Sequence, residues 1–88
     1  MKEGRQTSYQ LHKSRNEVWA IIRGEGIVYI EGKKRIIGSG EAIVIKAGTK
    51  HGLYAVADLE LIETQLGKPL TESDIIRVEK EWDPKRDE

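Results

Sequence analysis

The stretch Gly4–Gly24, GRQTSYQLHKSRNEVWAIIRG, decides how the chain folds, because it carries strand-type alternation and its chemistry together. Gln10, His12 and Glu17 fall within eight residues, and the residues around them read as β-strand. Side chains two apart on a strand point the same way. Gln10 and His12 therefore share one face, and Glu17, Trp19 and Ile21 share one face of the strand that follows. If those faces meet, an amide oxygen, an imidazole and a carboxylate converge. A second imidazole, His51, follows the apolar run EAIVIKAGT and completes a set of two nitrogens and two oxygens. That is a suitable shell for one divalent transition metal (Zn, Mn, Fe or Ni).

Working outward, the turn signals come every eight to twelve residues. Polar SRN at 14–16 precedes EVWAIIR (17–23), which ends at Gly24-Glu-Gly26. IVYIE and KRIIG flank Gly32-Lys33, expected as a tight hairpin with glycine supplying positive φ. Gly38-Ser-Gly40 turns the chain into EAIVIK (41–46), and HGLYAV (51–56) and LELIETQLG (59–67) follow. With a first strand over 5–12 and no helical period before residue 68, the expectation is an all-β sandwich or barrel. A closed barrel also hides its edges. The tail, 68–88, differs: Thr71-Glu-Ser-Asp74 reads as a capped helix start, and IIRVEKEW is open between a short helix and a last strand, since Ile75, Ile76, Val78 and Trp82 fit neither period cleanly.

Eighty-eight residues make one domain, with a core at about 5–67. So small a chain buries little surface and has no cysteine to staple it, which makes a bound metal or a second subunit attractive. A homodimer is expected, through a sheet face or an exchanged N-terminal strand. Fifteen basic residues balance fifteen acidic ones, which argues against nucleic acid or a membrane surface as partner. No apolar run approaches a bilayer span and no signal-peptide core is present, so a cytoplasmic protein is expected. Charged residues are 34% of the chain, and Met and Asn occur once each, a profile expected of a heat-adapted source.

Two motifs turn this pattern into a family resemblance. Gly4, five residues, Gln10-Leu-His12, four residues, Glu17, six residues, Gly24 follows the first cupin motif, with Gln in place of its first His. Gly40, Lys46-Ala-Gly48, His51 and Ala55 follow the second, with its Pro and Asn replaced. The chain thus resembles the cupins, small jelly-roll barrels that hold a metal at the mouth. Ser8, Gln10, His12, Arg15, Glu17 and Trp19, together with the ending LIETQLGKPLTESDIIRVEKEW, look like the mannose-6-phosphate isomerase domain at the C-terminus of bifunctional mannose-1-phosphate guanylyltransferases. The resemblance runs from about Thr7 to Trp82. Nothing in these residues resembles the nucleotidyltransferase portion, so sugar-nucleotide synthesis is not expected of them.

That resemblance implies a metal-dependent aldose–ketose isomerase acting on a phosphosugar, with Gln10, His12, Glu17 and His51 as ligands. Arg15 and Lys50 are candidates for the phosphate, against a plainer role as surface charges. Trp19 and Tyr29 suit a sugar ring at the mouth, although core filling describes them as well. Both histidines are committed to metal, and strand alternation offers Glu63 as the base. Two other readings stay open: a metal-binding cupin of other activity, such as dioxygen chemistry, and a non-catalytic ligand-binding or sensor module.

Overall fold

In the computed structural model, residues 1–67, 75–79 and 82–83 are described, and all their regular structure is β. The strands are β1 (Tyr9–His12), β2 (Arg15–Arg23), β3 (Glu25–Ile30), β4 (Lys33–Gly38), β5 (Ala42–Ile45), β6 (His51–Ala55), β7 (Glu60–Gly67) and β8 (Ile75–Glu79). They form a five-stranded sheet, β4-β3-β6-β1-β8, and a three-stranded sheet, β5-β2-β7. Every ladder is antiparallel.

The all-β expectation holds, and the differences are local. The first strand begins later than residue 5. Among the described residues, the segment before Tyr9 makes only the bridge Gln6↔Tyr54, while Gly4 and Thr7 donate backbone hydrogen bonds to Ala55 and Leu53 of the same chain. The turn before β2 narrows to Lys13-Ser14, so the strand starts at Arg15. The β3–β4 hairpin turns on Glu31-Gly32, one residue earlier than the sequence suggests, since Ile30 pairs with Lys33. Both loop residues have positive φ, 48° and 82°, as a two-residue turn matched to strand twist requires. Glu31 tolerates this because the loop is tied to Lys50: Glu31 N–H donates to Lys50 O, and Lys50 N–H donates to Glu31 Oε1 at 2.9 Å. In the tail, residues 75–79 are strand and pair with β1, which removes the helical alternative there. The capped helix start at Thr71–Asp74 lies outside the described residues.

Alternation fills the space between the sheets. Trp19 and Ile21 of β2, Val28 of β3, Ile37 of β4, Ile43 and Ile45 of β5, Leu53 and Ala55 of β6 and the adjoining Leu59 make one buried cluster. Fully burying an aliphatic side chain of this size stabilises the fold by about 1.5–3 kcal/mol. Along β2 the inward positions run Glu17, Trp19, Ile21, and along β6 they run His51, Leu53, Ala55. One end of the interior is therefore polar, with the apolar layers beneath it.

The middle of the outer face of the five-stranded sheet is covered as well, while Ile36 and Ile76 toward its edges stay exposed. Trp82 is buried, stacks on Tyr29 at a centroid distance of 5.4 Å and donates its indole N–H to Thr7 O at 2.8 Å. Tyr9 packs on Tyr29 at 5.1 Å. Position 52 must be glycine for this lid to sit down, because a Cβ there would lie 2.9 Å from the Trp82 ring.

Candidate metal centre

His12 ends β1, Glu17 lies near the start of β2 and His51 begins β6. All three are buried, at 4%, 2% and 2% exposure, where a polar side chain needs a partner. One potential ligand atom from each lies within 4.8 Å of the other two. His12 Nε2 is 3.1 Å from Glu17 Oε2, and the imidazoles of His12 and His51 are 5.2 Å apart, centre to centre. The imidazoles face one another, as the sequence pattern requires.

Neighbouring groups aim these side chains. His51 Nδ1 lies 2.9 Å from Thr49 O and donates to it, which leaves Nε2 with its lone pair. That Nε2 is buried and takes no hydrogen bond among the described residues. Burial pushes the His51 pKa down, only partly offset by the Thr49 hydrogen bond and the Glu17 charge, so the ring favours the neutral form that binds metal. Trp19 donates its indole N–H to Glu17 Oε1 at 2.9 Å and meets His51 edge-on at 5.6 Å. One carboxylate oxygen is thus held by the indole, and the other faces His12. The loop before His51 is fastened to the opposite strands: Gly48 N–H donates to His12 O at 2.8 Å, and Ala47 N–H donates to Asn16 Oδ1 at 2.7 Å.

Two imidazoles and a carboxylate, one imidazole nitrogen bare and buried, fit a divalent cation with coordination positions left over. Gln10 is paired directly with His51 across the ladder and so lies on the same face. Its carboxamide oxygen accepts from the Ser8 hydroxyl at 2.8 Å.

The other expected residues divide. Arg15 is at the site: its Nη2 is 3.4 Å from His12 Nε2 and its Nε 3.6 Å from Glu17 Oε2, with the side chain only 10% exposed. Glu63 pairs with Trp19 across the β2–β7 ladder and therefore faces inward, toward Glu17. Partial removal from water, with the Glu17 charge added, pushes its carboxyl pKa up; Arg15 opposes this. Lys50 is exposed beside the Glu31 turn.

Trp19 lies under the carboxylate, 3% exposed, rather than at an open rim. Tyr29 is not brought to the site at all. It pairs with Gly52 while its neighbour Val28 enters the core, so its ring projects from the far side of the sheet against Tyr9 and Trp82. What the sequence reading missed is the supporting shell of Trp19, Thr49 and Asn16. Only Trp19 gave a signal, through its spacing of two from Glu17.

Comparison with known proteins identifies the family and the fold. Residues 1–80 match the family model described as mannose-6-phosphate isomerase C-terminal. The mannose-1-phosphate guanylyltransferase ManC of Salmonella typhimurium is 36% identical over 81 residues, covering 90% of this chain but 17% of the relative. The chain thus spans about one-sixth of the length of the curated relatives it matches. Among solved structures, a cupin protein from Bacteroides fragilis superposes with a TM-score of 0.70 at 23% identity, over 82% of this chain and 64% of the other. Oxalate decarboxylase from Bacillus subtilis gives a TM-score of 0.76 at 21% identity, over 89% of this chain and 22% of that one. At such identities the structures speak for the shared fold.

Proposed function

The chain belongs to the mannose-6-phosphate isomerase C-terminal family of cupins, and from that premise we propose that it is a metal-dependent isomerase interconverting an aldose phosphate and its ketose. The observation that carries the reading is the convergence of His12, Glu17 and His51, with bare His51 Nε2 aimed inward. These three residues would hold one divalent ion (Zn, Mn, Fe or Ni), with Gln10 on the same face as a fourth donor. Bound there, the ion would supply Lewis acidity toward the sugar carbonyl.

The remaining work falls to side chains of the chain itself. Isomerisation moves a proton between neighbouring carbons through an enediol and so needs a base beside the sugar. Glu63 faces the Glu17 side of the interior, and partial burial together with the Glu17 charge pushes its carboxyl pKa up, the direction that makes a carboxylate a better base. Arg15, next to His12 and Glu17, is the cation for the substrate phosphate, and Lys50 is a second candidate at greater reach. Trp19 keeps Glu17 turned toward His12.

A coupled assay with mannose 6-phosphate and added divalent metals tests this. Turnover that is lost in chelator and in Glu63→Gln is expected. A fully loaded protein without turnover on phosphosugars would remove the isomerase reading. A second reading, dioxygen chemistry, is favoured by the two-His, one-carboxylate donor set. Oxygen consumption by Fe(II)-loaded protein distinguishes it. We also read the chain as a cytoplasmic homodimer from a heat-adapted source; the described residues include no helix long and apolar enough to cross a membrane.

A further inference from the structure

The two sheets end differently. β7 is joined along its length to β2, from Arg15↔Gly67 to Arg23↔Glu60, and no strand among the described residues pairs with its other edge. Every residue from Ile62 to Gly67 is exposed, including Ile62 at 58% and Leu66 at 53%. A long edge strand carrying exposed apolar side chains is a template for another strand. We propose that β7 pairs antiparallel with β7 of a second copy, about a two-fold axis through Thr64, so that two three-stranded sheets become one six-stranded sheet.

The sequence of the strand identifies the occupant. Directly opposed residues of a ladder share a face, so a two-fold axis perpendicular to the sheet must pass through a residue, and each residue i then meets its counterpart j twice. Centred on Thr64, Ile62 meets the partner's Leu66, and Glu63 meets the partner's Gln65. The outer face gains two apolar pairs around a Thr–Thr pair, and the inner face gains two carboxylate–carboxamide pairs. No neighbouring centre does this. An axis through Glu63 opposes two carboxylates; one through Ile62 sets Leu61 against a carboxylate; one through Gln65 sets Thr64 against Leu66.

The pairing also reaches the site. Glu63 faces inward beside Glu17, so the partner's Gln65 would donate its amide N–H to Glu63, the candidate base, and each copy would complete the mouth of the other. The proposal depends on the dimer alone and not on the isomerase reading.

The experiment is sedimentation equilibrium on the 88-residue chain, with circular dichroism to confirm that each variant folds. The expected mass is twice the 10.0 kDa of one chain. Thr64→Lys and Thr64→Glu, at an exposed outward position, each give monomer, and mixing them in equal amounts restores the dimer. Ile62→Lys and Leu66→Glu behave likewise when single, and combining them in one chain restores pairing, which keeps the test independent of position 64. A monomeric wild type overturns the proposal, as does a Thr64→Lys dimer or failure of the mixed charges to re-associate. A dimer broken by Val44→Lys but not by Thr64→Lys also overturns it, in favour of face-to-face packing. Metal content of the monomeric variants keeps the interface and the site separate: the pairing can fail while His12, Glu17 and His51 still load.

Discussion

The two ends of the space between the sheets are lined by the same strands but do opposite things. On β2, Glu17 stands at one end and Ile21 at the other; on β6, His51 and Ala55 do the same. The apolar end, with Val28, Ile37, Leu53 and Ala55 at 0–1% exposure, stabilises the fold by taking hydrocarbon out of water. The polar end buries a carboxylate and two imidazoles, which costs stability unless something binds them. Strand parity selects which side chains enter, and distance along the strand selects the layer. Stability and ligand binding therefore reside in different residues and are separable by mutation.

The largest effect is expected at the apolar end. Leu53→Ala should lower unfolding free energy by about 2–5 kcal/mol, equally with metal and with chelator, in denaturant titrations. If the loss appears only with metal, the two ends are not independent. Glu17→Gln should do the reverse. Apo stability should change little, while metal at a hundred times its Kd, worth about 2.7 kcal/mol to the wild type, should no longer raise Tm. Next comes Trp19→Phe, which fills most of the same volume but frees Glu17 Oε1. It should weaken metal binding about 10–100-fold in calorimetry, whereas an unchanged affinity would make Trp19 simple filling.

The smallest effect is in pH. Burial lowers the pKa of folded His51 below its ordinary 6.5, so the unfolded chain takes up the proton first as pH falls. Apo stability should be level above about pH 6.5 and decline below it. Glu63, whose carboxyl is raised above 4.5, acts in the opposite sense, gaining stability as pH falls toward its ordinary range. His51→Asn should flatten the decline between pH 6.5 and 5.5 in chelator melts. An unchanged slope would assign it elsewhere.

Much of this was legible in the sequence. Turn spacing gave the β class, and the spacing of His12, Glu17 and His51 brings two separate stretches to one point, because strand parity is a local property that sequence records. Where parity is ambiguous the reading failed. In β3, Ile27, Val28, Tyr29 and Ile30 are apolar on both faces, and at Tyr29 the outer face is covered by Tyr9 and Trp82, so nothing local told Tyr29 from Val28. The cover itself, Trp82 on Gly52, joins residues 30 apart in sequence. Glu31 at φ 48° was hidden for a similar reason: its turn is held by Lys50 from another strand connection. The sequence offers Trp19 as a sugar platform or as core filling, whereas in the structure its indole N–H holds Glu17.

The central claim is that His12, Glu17 and His51 close on one cation. Elemental analysis of the 88-residue chain, purified without a polyhistidine tag, loaded with divalent metal and dialysed, tests it most directly. The account predicts one ion per chain, and none in Glu17→Gln combined with His51→Ala. A wild type that retains no metal, or a double variant that still retains one, would contradict it.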